Sequence, residues 1–289
     1  MRPAAIDLHT HSACSDGTDA VPALITAART AGLDAIALAD HDTMVGVADA
    51  QTLGAQAGIE VLRALEMSAH LDVAGGERPV HLLAYGCRPT DAPLDALLAA
   101  TRAARVSRVP RMLGKLAGLG CPLELGEVEA QARRATSTGR PHIADALVAR
   151  GYVASRDEAF ALFLDEAGPA YVGRYTPTVA EALAAVGGAG GVAVIAHPWG
   201  RGNRTVLTPA VIAGLAEQGL YGVEAHHLDH AAPATRELVG LAHDLGLVVT
   251  GGSDYHGTGK TGHPLGVRRT DAASYEALTA EITTRKGQL

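Results

Sequence analysis

The chain has 289 residues, 47% of them hydrophobic and 19% charged, which excludes a disordered or low-complexity protein. Lys and Arg total 24 against 31 Asp and Glu, a net charge of -7, so no global basic surface draws it to long nucleic acid or an anionic membrane. Three scattered cysteines, Cys14, Cys87 and Cys121, exclude a disulfide framework, and thirteen His against two Phe and one Trp make histidine placement the informative signal.

Residues 1–8 carry one Arg and no apolar run long enough for a signal peptide, and no later stretch reaches the roughly 18 apolar residues of a membrane span. The expectation is a cytoplasmic protein. Short apolar runs at 4–8, 34–39, 59–65, 79–85, 191–196, 221–225 and 247–250 read as strands, alternating with helical patterns such as 21–31, which Gly32 stops. Strand and helix alternation predicts parallel strands with crossovers, an α/β sheet or barrel.

The first strand ends in Asp7-Leu8-His9-Thr10-His11. Side chains two apart on a strand share a face, so His9 and His11 can reach one ion, and Asp16 follows in the next loop. The second strand ends in Asp40-His41-Asp42, a cluster costly to bury unless something binds it. The third ends at Glu66. His81 lies inside the fourth strand, where a core histidine and a ligand are both open readings.

The alternation stops between 91 and 173, where only helical pattern is present, as at 94–106 and 143–150. This segment reads as an inserted helical cap over the strand ends, dividing the chain into a first barrel part (1–90), a cap (91–173) and a second barrel part (174–289). Arg102, Arg105, Arg108 and Arg111 stand at threefold spacing, which reads first as a solvated helix face and second as a wall above an anion site. The glycines at 187–191 read as a turn and not a phosphate cradle, because no Lys-Ser or Lys-Thr pair follows.

The fifth strand runs into His197-Pro198. The sixth ends in Glu224-Ala225-His226-His227 with His230 behind, and the seventh leads to Asp254 and His256, again two apart. Nearly every strand thus ends in a histidine or carboxylate at the end where parallel α/β barrels carry their active sites. His9, His11, Asp16, His41, Glu66, His81, His197, Asp254 and His256 are the best placed candidate ligands. Nine exceed the need of one ion. Two or three divalent ions bridged by Glu66 and Asp254 would use them all, and imidazole with carboxylate suits Mn, Fe or Zn. Hydrolysis by metal-activated water is the natural chemistry.

The strings DLHTHS (7–12), SDG (15–17), DHDT (40–43), EMS (66–68), AHP (196–198) and GGSDYHG (251–257) resemble the successive motifs of the PHP family, named for polymerase and histidinol phosphatase. With GRPHIA (139–144), the inserted segment is similar to the metal-dependent phosphoesterases that include 3',5'-nucleoside bisphosphate phosphatase and a 5'-end RNA exonuclease. The resemblance implies an α/β fold, a distorted seven-stranded β/α barrel with the helical cap. It also implies that the nine residues are ligands, that Glu66 bridges two ions, and that Glu66, Asp254 and His197 are central to catalysis. Asp40 and Asp42 become positioning groups, and Arg140, His142 and His230 contacts to substrate phosphate. Two departures stand out. Trp199 and Gly200 precede Arg201, with Arg204 three further on, and both arginines fall on the substrate side. His226 and His227 stand where aromatic residues are more usual.

The expected substrate is a small phosphorylated molecule, a nucleoside 3',5'-bisphosphate or a short RNA or DNA 5' end, without a membrane or an obligate protein partner. Two other readings stay open: a metal-dependent amide or lactone hydrolase, disfavoured by Arg140, Arg201 and Arg204, and a metal-binding PHP module without turnover, which would need broken ligand positions.

Overall fold

A computed structural model describes residues 3–132 and 134–287, apart from the side chain of Arg201, so the expectation for Arg201 lies outside the described residues. Seven strands form one sheet in chain order: β1 (Ile6–Thr10), β2 (Ala35–Leu38), β3 (Glu60–Val73), β4 (Gly76–Tyr85), β5 (Val192–Ile195), β6 (Leu220–His226) and β7 (Val248–Gly251). Crossover helices α1 (Val21–Thr30) and α2 (Val47–Ala57) join the parallel strands β1, β2 and β3. Strands β5, β6 and β7 are likewise parallel.

The expectation of uniformly parallel strands fails at β4. This strand runs antiparallel to both β3 and β5. The cause is local: only Ala74 and Gly75 separate the paired Val73 and Gly76, and Gly76 has φ of 110°. Two residues close a hairpin, whereas a parallel crossover needs a dozen or more. Reversal also places His81, midway along β4, at the end of the barrel where the other strands finish, paired with Ser68 two residues from Glu66.

Ile6 and Leu8 of β1, Ala35 and Ala37 of β2, Leu83 and Tyr85 of β4, and Val192 and Val194 of β5 share an apolar cluster with Tyr275, Leu278 and Ile282 of the C-terminal helix Ala272–Lys286. Residues from several strands meeting one helix define a barrel interior with a plug. Around the outside, α8 (Val179–Gly188) packs on β3, β4 and β5, and α10 (Ala232–Asp244) on β6 and β7. A capping box of Thr178 and Glu181 starts α8.

The segment after β7 closes the barrel against β1: Asp254 N donates to His9 O at 2.9 Å, and His11 N to Tyr255 O at 2.9 Å. Gly252 makes this approach feasible. A Cβ there would lie 2.6 Å from the His9 backbone nitrogen and closer still to the His9 Cβ. Gly252→Ala is therefore expected to cost about 1 to 3 kcal/mol and to lower metal content together with Tm, checked by thermal melts and elemental analysis.

Between β4 and α8 the described residues contain helices and no strand: α3 (Ala92–Ser107), α4 (Val109–Gly118), α5 (Leu125–Gln131), α6 (Arg140–Ala149) and α7 (Arg156–Ala159), the last continued by a π turn, Phe160–Leu164. Leu94 and Leu98 of α3 join the apolar cluster on the outside of the sheet. A separate cluster begins at Val109 and includes Met112, Leu116, Val128, Ile143, Leu147 and Leu164. Helix α3 is thus barrel wall, and the independent core starts after it. Among the described residues, no helix is long and apolar enough to cross a membrane.

Candidate metal centre

Strand alternation puts His9 and His11 on one face of β1, and the loop after β1, the middle of β3 and the turn after β7 bring Asp16, Glu66 and Asp254 to the same place. His9 Nε2 and His11 Nε2 lie 3.3 and 3.2 Å from Glu66 Oε2, and 3.5 and 3.3 Å from Asp254 Oδ1. Asp16 faces His256 Nε2 at 3.3 Å and His41 Nε2 at 3.6 Å. Glu66 Oε1 faces His81 Nδ1 at 2.7 Å and His197 Nε2 at 3.1 Å. Among the described residues, four groups could each hold an ion: His9, His11, Glu66 and Asp254; His11, Asp16, His41 and His256; His41, Glu66 and His81; and His227, Asp254 and His263. Glu66 presents Oε2 to one and Oε1 towards another, the placement a bridging carboxylate requires.

The donor atoms fit divalent cations on an observation independent of residue type. His9 Nε2, both nitrogens of His11, His41 Nδ1 and His81 Nδ1 are buried and make no hydrogen bond, although carboxylate oxygens stand near them. Lone pairs and oxygens aimed at a shared point, and not at each other, are what a cation satisfies. Burial by itself would raise the carboxyl of Glu66, yet the surrounding His41, His81 and His9 hold it well below the usual range; Lys260 and His9 do the same for Asp254. Both carboxylates are ionised, the form that binds metal.

Backbone strain is confined to this place. Among the described residues, those other than glycine with positive φ are Asp42 at 55°, His197 at 29° and Asp254 at 52°, each just past a strand end.

Four buried carboxylates outside the predicted ligand set hold the centre in position. Glu224 accepts from His9 Nδ1 through Oε1 and from the His197 backbone N–H through Oε2, both at 2.9 Å, which fixes the His9 tautomer with Nε2 as the free lone pair. Asp7 ties β1 to the closing segment by accepting from Ser253 N and Gly266 N. Asp40 accepts from Ser12 N, Ser12 Oγ and Ser15 Oγ, anchoring the loop that carries Asp16. Asp42 accepts from Ser68 N and from Arg105 Nη2 of α3. Glu224 was visible in sequence only as a lone charge inside an apolar strand.

A cleft of about 890 Å³ opens over these groups. Besides the ligand candidates it is lined by Arg78, Arg105, Arg108, Arg140, Arg156, Arg174 and Lys260. The expectation of a solvated arginine face fails here: Arg105 and Arg108 are 8% and 3% exposed. Helix α3 ends and α4 begins at Arg108, with Pro110 in the first turn of α4, and past that break Arg111 is exposed as expected.

Arg140 lines the cleft, bonded to Leu164 O and lying over the rings of Phe160 and Tyr171. The other predicted phosphate contacts are placed differently. His142 accepts from Gly139 N through Nδ1 as part of the start of α6, and is absent from the main cleft. Both ring nitrogens of His230 are engaged by backbone, Nδ1 by Ala225 O and Nε2 by Trp199 N, so it holds the turn after His197. Arg204 stacks on Trp199 and pairs with Glu237 at the surface, outside the cleft.

The PHP domain model matches residues 7–109, the part that carries His9 to His81. A 3',5'-nucleoside bisphosphate phosphatase of Chromobacterium violaceum is 30% identical over 261 residues, covering 90% of each chain. The chain belongs to the PHP family. A phosphoribosyl 1,2-cyclic phosphate 1,2-diphosphodiesterase of Eggerthella lenta is 32% identical, over 87% of this chain and 94% of that one. A Bifidobacterium adolescentis structure, provisionally described as a metal-dependent phosphoesterase, superposes with a TM-score of 0.90 at 36% identity, covering 97% and 98% of the two chains. This PHP protein is accordingly a hydrolase, a metal-dependent phosphoesterase with several clusters able to bind metal.

Proposed function

We propose that this PHP phosphoesterase removes phosphate from a nucleotide-like monoester, with a nucleoside 3',5'-bisphosphate as leading substrate and the 5' end of a short oligonucleotide next. The observation that carries the reading is the joining of orphaned imidazole nitrogens and a cation-lined wall in one cleft. Neutral amide or lactone substrates would make no charge-assisted contact with that wall.

His9, His11, Asp16, His41, Glu66, His81, His197, Asp254 and His256 would hold two or three divalent ions, Mn, Fe or Zn, with Glu66 shared between groups. Such ions supply an acidified water and charge on the phosphoryl oxygens. The chain's own residues set the rest. Glu224 orients His9, Asp40 and Asp42 fix the turns bearing Asp16 and His41, and the arginine wall draws the anion to the cleft and excludes uncharged competitors.

A second reading, hydrolysis of a cyclic phosphodiester, is favoured by the Eggerthella lenta relative. Phosphate release from nucleoside 3',5'-bisphosphates and monophosphates, set against ring opening of a ribose 1,2-cyclic phosphate, separates the two. The leading reading predicts a higher kcat/KM for the bisphosphate, and faster ring opening with no release of phosphate from monoesters would replace it.

A further inference from the structure

We infer that Arg156 is a positioning residue for one part of the metal centre, the group of His11, Asp16, His41 and His256, and that it couples the docking of helices α6 and α7 to the ion this group would hold. This rests on the reading that these side chains hold divalent ions, and on no particular phosphate ester.

Arg156 is the first residue of α7, and its side chain is 11% exposed. Nε and Nη2 donate to the two carboxylate oxygens of Asp145 on α6, both at 2.6 Å, and Nη1 donates to the backbone oxygen of Asp16 at 2.9 Å. The fork on Asp145 compensates its charge, so Arg156, although it lines the cleft, is committed to the protein and not to an incoming anion. Nη1 also lies against Gly259, where a Cβ would overlap it, so one guanidinium touches both the loop after β1 and the loop after β7. Two further bonds run to these loops: Thr136 N donates to Cys14 O at 2.9 Å, and Thr261 Oγ1 donates to Asp157 Oδ2 at 3.0 Å. Helices α6 and α7 share one apolar cluster through Ile143, Leu147 and Ala159, so they meet the loops as a unit.

The two loops carry Asp16 and His256, which face each other at 3.3 Å. Asp40 holds the first loop from the barrel side through Ser12 and Ser15, and Thr18 N ties it to His256 O at 3.1 Å. Arg156 fixes the opposite side, at the peptide unit of Asp16 itself. A carboxylate on an irregular loop keeps its direction only while its backbone is held, and losing a bond that orients a ligand costs metal affinity about ten- to a hundredfold. His9 and Glu66, in contrast, take their places from the strands β1 and β3, with Glu224 orienting His9, so Arg156 acts on one ion more than on the others. Such coupling is reciprocal: by the factor that docked α6 and α7 strengthen the ion's site, a bound ion strengthens their docking.

The test titrates Mn(II) into metal-free wild type, Arg156→Met and Arg156→Lys, with bound metal read by equilibrium dialysis, and follows amide hydrogen exchange over 140–159 with and without Mn(II). In Arg156→Met one equivalent of metal is expected to bind about ten- to a hundredfold more weakly while the others stay within about threefold. Arg156→Lys keeps a charge beside Asp145 but has no fork to span Asp145 and Asp16 together, and it is expected to lose about three- to tenfold at the same equivalent. Mn(II) is expected to slow exchange over 140–159 by about tenfold or more in the wild type and by much less in Arg156→Met. Should Arg156→Met fail to fold, the selective loss in Arg156→Lys carries the test. Unchanged metal binding in both variants, or an equal weakening of every ion, overturns the role and leaves the metal reading standing. A raised KM with metal binding intact overturns it too, and would make Arg156 a substrate contact. A wild type that takes up no divalent metal overturns the metal reading and this role with it.

Discussion

Glu66→Ala is expected to lower phosphate release by about a thousandfold or more and to leave the purified protein short of metal. Its two oxygens face different histidine sets, Oε2 towards His9, His11 and His41 and Oε1 towards His81 and His197, so one substitution weakens two groups at once. His81→Ala touches one group and is expected to lose about one equivalent of metal while keeping the others. Elemental analysis alongside initial rates separates the two variants. Wild-type metal content and rate in Glu66→Ala would remove it from the centre, and the same result in His81→Ala would make His81 a core histidine.

Glu224→Gln is expected to reduce metal affinity and turnover by about ten- to a hundredfold without unfolding the protein. The carboxylate is fully buried and bonds both the His9 ring and the His197 backbone N–H, so it acts through those residues as a positioning group. An amide retains the shape but offers a single acceptor oxygen, so one of the two bonds is lost or the tautomer of His9 is reversed. A purely structural role would lower Tm and leave the metal dissociation constant of the folded fraction unchanged. Metal titration of folded Glu224→Gln protein is therefore the deciding measurement, with Glu224→Asp expected to recover part of the affinity.

Much of the site was legible because strand geometry is strict. His9 and His11 stand two apart, and the period of a strand turns that spacing directly into a shared location, whereas Asp254 and His256 lie in the loop past β7, where their spacing alone fixes nothing. The direction of β4 was not legible, since the apolar run 79–85 reads the same either way. Its reversal depends on Ala74 and Gly75, which lie in a polar stretch that resembles a loop until its pairing is known. The histidines show the limit of residue type as a signal. His142 and His230 have the right chemistry for phosphate, but local backbone groups take up one ring nitrogen of His142 and both of His230, and such partners are set by turns that sequence does not resolve. For Arg105 and Arg108 the spacing suggested solvent, but both are buried against the cleft, and Arg111 of the same run is exposed.

The most direct measurement is a titration of metal-free protein with Mn(II), following inorganic phosphate released from a nucleoside 3',5'-bisphosphate and metal bound in the same samples. Release is expected to be absent without metal and to rise with occupancy, reaching its plateau at two or three ions per chain. Phosphate release that is independent of added metal, or full occupancy with no release from this or any other phosphate ester tested, would contradict a metal-dependent phosphoesterase acting on nucleotides.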